Sequence, residues 1–122
     1  HINEDDIENI IKNINIPLQL EVAPTNFMFN FAIKNNIKKV CIVPEKRQEL
    51  TTEGGLDIEY NLNFLKENLP NLYENNIEVS LFLDPDIKNV NACKELGVKA
   101  IEFHTGEIAN AHGKKELGES RT

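Results

Sequence analysis

Apolar residues in this chain switch repeatedly between a spacing of three or four positions and a spacing of two, and that alternation constrains the fold more than any other feature. Asn3 stands before Glu4, Asp5 and Asp6, the signature of a capped helix start. Ile7, Ile10, Ile11 and Ile14 then recur on one helical face, so a helix ending near Asn15 is predicted. Pro17 to Val22 reads as a short strand. Pro24-Thr25-Asn26 supplies a stop and a cap for a second helix over 27–35. Lys39 to Val43 reads as a buried strand, followed by a polar loop over 44–55.

Leu62, Leu65, Leu69 and Leu72 place a third helix within 56–75, with Pro70 as an irregularity that kinks or splits it. A strand over 77–83, a cap-like Asp84-Pro85-Asp86, a helix over 87–96 stopped by Gly97 and a strand over 98–104 complete the pattern. The order is α-β-α-β-α-β-α-β, which predicts right-handed crossovers and a parallel sheet. Two architectures fit: a small doubly wound sheet, or part of a (β/α)8 barrel, which normally takes about 200 residues or more. Length alone favours the former, since the chain has 122 residues.

Composition removes several function classes. A net charge of −7 argues against nucleic-acid binding. Apolar runs such as Val40 to Val43 are far below the roughly 18–20 residues that span a bilayer, so no membrane span is expected. The opening His1-Ile2-Asn3, with neither an initiator Met nor a basic segment followed by an apolar one, predicts no secretory signal in this sequence. Cys41 and Cys93 lack metal-ligand spacing and read as reduced thiols in a cytosolic protein. No Walker A loop, dinucleotide fingerprint, zinc-protease helix or nucleophile elbow is present.

In either architecture ligands bind beyond the carboxyl ends of the strands, which directs attention to strand ends. Glu21 lies in the apolar context Leu20-Glu21-Val22, where a carboxylate drawn out of water suits general acid–base work; an ordinary strand-end acid is the plainer alternative. The loop 44–55 carries Lys46, Arg47, Thr51, Thr52 and a Gly-Gly end, suited to closing over an anion or equally to a solvated surface. Glu102-Phe103-His104-Thr105-Gly106 ends the last strand, with Glu102 and His104 sharing a face. On the residues alone His1 is a terminal residue or a tag remnant. His112 sits in a polar tail.

The run Val43-Pro44-Glu45-Lys46-Arg47-Gln48-Glu49-Leu50-Thr51-Thr52-Glu53-Gly54-Gly55-Leu56-Asp57 resembles the signature of the pyridoxine 5′-phosphate synthase family. Leu20-Glu21-Val22, Val79 to Asp84 and Ile101 to Gly106 resemble further family segments in the same order. The resemblance implies a (β/α)8 barrel (TIM barrel), with this chain supplying strands three to six as a half barrel over 1–111. A polar tail over 112–122 shows no family pattern. It also implies vitamin B6 biosynthesis: a transferase joins 1-deoxy-D-xylulose 5-phosphate to 3-amino-1-hydroxyacetone 1-phosphate, giving pyridoxine 5′-phosphate, phosphate and water.

By the same resemblance Glu21 is a general base, Glu102 stabilises a transition state, Thr51 contacts substrate from the lid loop, and His1 helps hold deoxyxylulose phosphate. No metal or redox cofactor is implied, and the complete enzyme is expected to be a cytoplasmic homo-oligomer. The family's other catalytic histidines and its phosphate loops fall outside this chain, so the chain by itself is expected to be inactive. Two alternatives stand beside this reading: a half-barrel module that binds a phosphosugar through Lys46 and Arg47 without turnover, and a complete doubly wound domain.

Overall fold

The structure, a computed structural model, describes residues 3–45, 51 and 54–104. Its elements follow the order α1 (Glu4–Asn13), β1 (Gln19–Val22), α2 (Asn26–Lys34), β2 (Lys39–Ile42), α3 (Leu62–Glu74), β3 (Glu78–Leu83), α4 (Ile87–Leu96) and β4 (Ala100–Phe103). Three of the four described helix starts carry a side-chain cap. Asn3 and Asp6 form a reciprocal capping box at α1. The Thr25 hydroxyl accepts from the Met28 N–H at α2, and Asp86 accepts from the Lys88 N–H at α4.

The helix ends follow one device used three times. Asn36, Asn76 and Gly97 adopt left-handed conformations, with φ of 53°, 60° and 78°. The next residue then donates its N–H to a carbonyl five positions back: Ile37 to Ala32, Ile77 to Leu72 and Val98 to Cys93, each at 3.0 Å. Ile37, Ile77 and Val98 are all buried, so each reversal delivers the chain into the core just before the next strand. Helix α3 is not split at Pro70. That ring is exposed and so is Lys66, whose carbonyl loses its partner, so the unpaired group belongs to the solvent-facing side of the helix, where leaving it unbonded within the helix costs least.

All three strand pairings are parallel, in the order β1-β2-β3-β4. The order runs one way without the reversal that a doubly wound sheet requires. Successive crossovers of one hand therefore place their helices on the same face, where α3 packs between α2 and α4. Val22, Val40, Ile42, Val79, Leu81 and Leu83 meet Leu65, Leu69 and Leu72 of α3 in one continuous core. Each of those leucines is at most 1% exposed, worth about 2 kcal/mol in burial.

The opposite face curls. Gln19 on β1 donates its Nε2 hydrogen to Glu102 Oε2 on β4 at 3.0 Å, although β1 and β4 are the two outer strands. In a flat sheet three strand spacings would hold them about 14 Å apart, with side chains standing parallel to one another. The bond therefore requires the face carrying Gln19 and Glu102 to be concave, as consecutive strands of a (β/α)8 barrel are.

Candidate functional site

Alternation along the strands delivers a set of polar side chains to the concave face. Glu21, Cys41 and Ser80 lie side by side in the register of β1, β2 and β3, and Glu102 stands opposite Phe82 one step further along. Curvature then brings the carboxylates of β1 and β4 to bear on the thiol between them. Burial pushes the Cys41 thiol up to about 11; a hydrogen bond with Ser80 opposes the shift, while Glu102 adds to it by charge and by hydrogen bonding, and Glu21 by charge. Cys41 is therefore a neutral thiol near pH 7, acting as a hydrogen-bond partner and not as a nucleophile.

Glu21 itself is exposed, which corrects the expectation that its apolar sequence neighbours draw it out of water. Leu20 and Val22 point to the helix-covered face, whereas nothing among the described residues covers the concave face above Glu21. Glu102 is half-buried, held by Gln19. A cleft of about 180 Å³ opens beside Glu102 and reaches the first residues of the strands, Gln19, Lys39, Glu78 and Ala100; Glu21 does not line it. A larger one, about 710 Å³, lies by Tyr73 and Gly97 at the amino end of β3 and β4, the end where α/β sheets do not place their ligands.

A second cluster forms at the carboxyl end of β3. The Thr51 hydroxyl donates to Asp84 Oδ2, and the Gly55 N–H donates to Asp84 Oδ1 at 3.2 Å. The Gly54 and Gly55 N–H groups both donate to Thr51 Oγ1 at 3.1 Å. Two close approaches account for the Gly-Gly pair. A Cβ on Gly54, whose φ is +115°, would stand 2.7 Å from the His104 ring, and one on Gly55 would stand 2.8 Å from the Asp84 main-chain nitrogen. The end of the charged loop thus seats on the mouths of β3 and β4. Beside it lies a cleft of about 290 Å³ that includes Thr51, Asp84 and Lys88.

Of the sequence-predicted residues, the structure gathers Glu21 with Glu102 on the concave face and seats Thr51 near His104 at the strand ends. His104 donates its N–H to the Leu83 carbonyl at 2.7 Å, and its ring lies 5.5 Å from that of Phe82. His1, Lys46, Arg47, Thr105, His112 and the tail fall outside the described residues. Sequence reasoning missed Asp84, which it took as part of a helix cap; the cap is Asp86 alone. Its position directly after the alternating strand 78–83 was the available signal. Gln19, Cys41 and Ser80 were likewise overlooked, though their spacing from Glu21 and across the strands marks one face. Among the described residues no group of three or more His, Cys, Asp or Glu side chains is placed to hold a metal ion, and no helix is long and apolar enough to cross a membrane.

A one-way parallel sheet with acids, a thiol and hydroxyls on its concave face and carboxyl edge defines an α/β protein of the class that takes small ligands at its strand ends. Comparison with known sequences narrows the class. Residues 1–121 match the family described as pyridoxal phosphate biosynthesis protein PdxJ, and the chain belongs to that family. The match continues past Ala111, where the recognisable motifs end. The chain is 47% identical over 123 residues to the pyridoxine 5′-phosphate synthase of Sulfurihydrogenibium sp., covering 96% of this chain and 51% of that protein. It is 43% identical over 119 residues to the synthase of Ehrlichia chaffeensis (98% of this chain, 50% of that protein) and 45% identical over 111 residues to that of Coxiella burnetii (91% and 46%). The chain thus spans about half the length of the curated relatives it matches.

Proposed function

We propose that this chain is the middle part of a pyridoxine 5′-phosphate synthase, contributing strands three to six of a (β/α)8 barrel. The reaction condenses 1-deoxy-D-xylulose 5-phosphate with 3-amino-1-hydroxyacetone 1-phosphate. The observation that carries the reading is the hydrogen bond from Gln19 to Glu102 across the concave face, which brings β4 towards the face of β1 that also carries Glu21 beside Cys41. Imine formation, dehydration and ring closure each move protons, and two carboxylates on one face of the sheet supply groups that accept and return them.

In this reading Glu21 is the general base, while Glu102, oriented by Gln19 and Cys41, stabilises charge that develops in the transition state. Thr51, and His1 beyond the described residues, contact the deoxyxylulose phosphate. No metal or redox cofactor enters the proposed chemistry. The test is formation of pyridoxine 5′-phosphate by the full polypeptide that carries this segment, comparing wild type with Glu21→Gln and Glu102→Gln. A fall in kcat of about 100-fold or more for Glu21→Gln is expected; unchanged turnover would reject the assignment. The 122-residue chain by itself is expected to yield no product, because the family's remaining histidines are not part of it. Product from this chain alone would contradict the half-barrel reading.

A further inference from the structure

We propose that Asp84 is a positioning residue: its carboxylate fixes the Thr51 hydroxyl and the Gly54-Gly55 turn at the mouth of β3, and so sets how Thr51 meets the substrate. The inference rests on the reading of Thr51 as a substrate contact. Asp84 is only 8% exposed, and a carboxylate that far out of water requires its oxygens to be occupied. They are: Oδ2 accepts from the Thr51 hydroxyl and Oδ1 from the Gly55 N–H. The backbone of the same residue is committed as well, its carbonyl accepting from Asn89 Nδ2 at 2.9 Å, which ties the strand end to α4.

The consequence falls on Thr51. A threonine hydroxyl has one hydrogen to donate and two lone pairs. Here the hydrogen goes to Asp84, and the lone pairs accept from Gly54 and Gly55. The Thr51 N–H is also used, donating to the Gly55 carbonyl at 2.8 Å, and the Thr51 carbonyl accepts from the Gly54 N–H at 3.3 Å. Among the described residues nothing takes up the second lone pair of that carbonyl, so the turn offers a ligand an acceptor, suited to a sugar hydroxyl. Without Asp84 the hydroxyl is free to rotate, the turn loses its anchor, and the carbonyl no longer has a fixed position.

The test uses the full polypeptide, with Asp84→Asn, Thr51→Val, Thr51→Ser and the Asp84→Asn/Thr51→Val pair. An amide at position 84 offers one acceptor oxygen to two donors, so one bond is lost without a change of shape. Asp84→Asn and Thr51→Val are each expected to raise KM for 1-deoxy-D-xylulose 5-phosphate about tenfold with kcat within about threefold. The pair should be no worse than the worse single variant, because both break the same link, and Thr51→Ser should restore wild-type KM. An unchanged KM in Asp84→Asn where Thr51→Val raises it, or effects that multiply in the pair, would overturn the proposal.

If wild type forms no product, the synthase reading fails and amide exchange decides the positioning claim separately. The Gly55 N–H exchanging about tenfold faster in Asp84→Asn, with core amides unaffected, supports it; unchanged exchange overturns it. Should Asp84→Asn not fold, Thr51→Val removes the donor to the same carboxylate and is read by the same Gly55 exchange, with the same two outcomes.

Discussion

Replacing Gly55 by alanine is expected to destabilise the protein by about 2–4 kcal/mol, and the figure follows from what surrounds the glycine. A Cβ there would stand 2.8 Å from the Asp84 nitrogen, 3.0 Å from the Leu83 carbonyl carbon and 3.1 Å from Asp84 Oδ1. The first two atoms belong to the main chain at the end of β3, which is paired on both sides by β2 and β4 and cannot recede. The loop must move instead. Overpacking of this kind costs about 1–3 kcal/mol. The displaced loop also loosens the Gly55 bond to Asp84 and the Leu56 N–H bond to the Phe82 carbonyl, 3.2 and 2.9 Å long, each worth about 1 kcal/mol. Gly54 is the internal control. The three atoms nearest its Cβ all belong to the His104 ring, a side chain able to turn away, so the cost there is mainly the φ of +115°, about 1–2 kcal/mol. Urea titrations followed by circular dichroism give both values. A loss below about 0.5 kcal/mol for Gly55→Ala at unchanged m, or a larger loss for Gly54→Ala, would mean that the loop does not rest on the end of β3.

Leu65→Ala removes a fully buried side chain where α3 meets the sheet and should cost about 3 kcal/mol in the same titration. The Tyr73 hydroxyl is buried without a hydrogen-bond partner among the described residues, so Tyr73→Phe should leave the urea midpoint unchanged or raise it by up to about 1 kcal/mol of stability. Burial pushes the Cys41 and Cys93 thiols up to about 11 from 9.0, so the folded state holds these protons more tightly than the unfolded chain does. The stability they contribute is complete below pH 9 and lost as pH rises from 9 to 11; the decline in urea midpoint over that window should flatten in Cys41→Ala/Cys93→Ala. Both thiols should also react slowly with iodoacetamide at pH 8, and fast labelling of the native protein would contradict their burial.

Much of the site was legible before any coordinates. Glu21, Thr51 and Glu102 were singled out from the sequence; the structure puts Glu21 and Glu102 on one face of the sheet and Thr51 against the end of β3. What stayed hidden were the partners. Asp84 sits two residues before a true helix cap, and a local reading cannot tell a carboxylate that caps its own helix from one that anchors a loop 33 positions away. The exposure of Glu21 was also misjudged, because its neighbours Leu20 and Val22 report the covered face of the strand and Glu21 lies on the other.

Sequence alone determined the elements. Periods of 3.6 and 2, the caps at Asn3, Thr25 and Asp86, and the stop at Gly97 are encoded within a few residues of where they act, so eight elements and their alternation could be read directly. It left open whether the sheet reverses its strand order or continues in one direction, since both arrangements use the same local pattern. Only tertiary structure decided that, through the pairing order and through contacts such as Gln19 with Glu102, 83 residues apart. Periodicity is a property of neighbours in the chain; curvature, and with it the meeting of Gln19 and Glu102 from opposite edges of a sheet, is a property of neighbours in space.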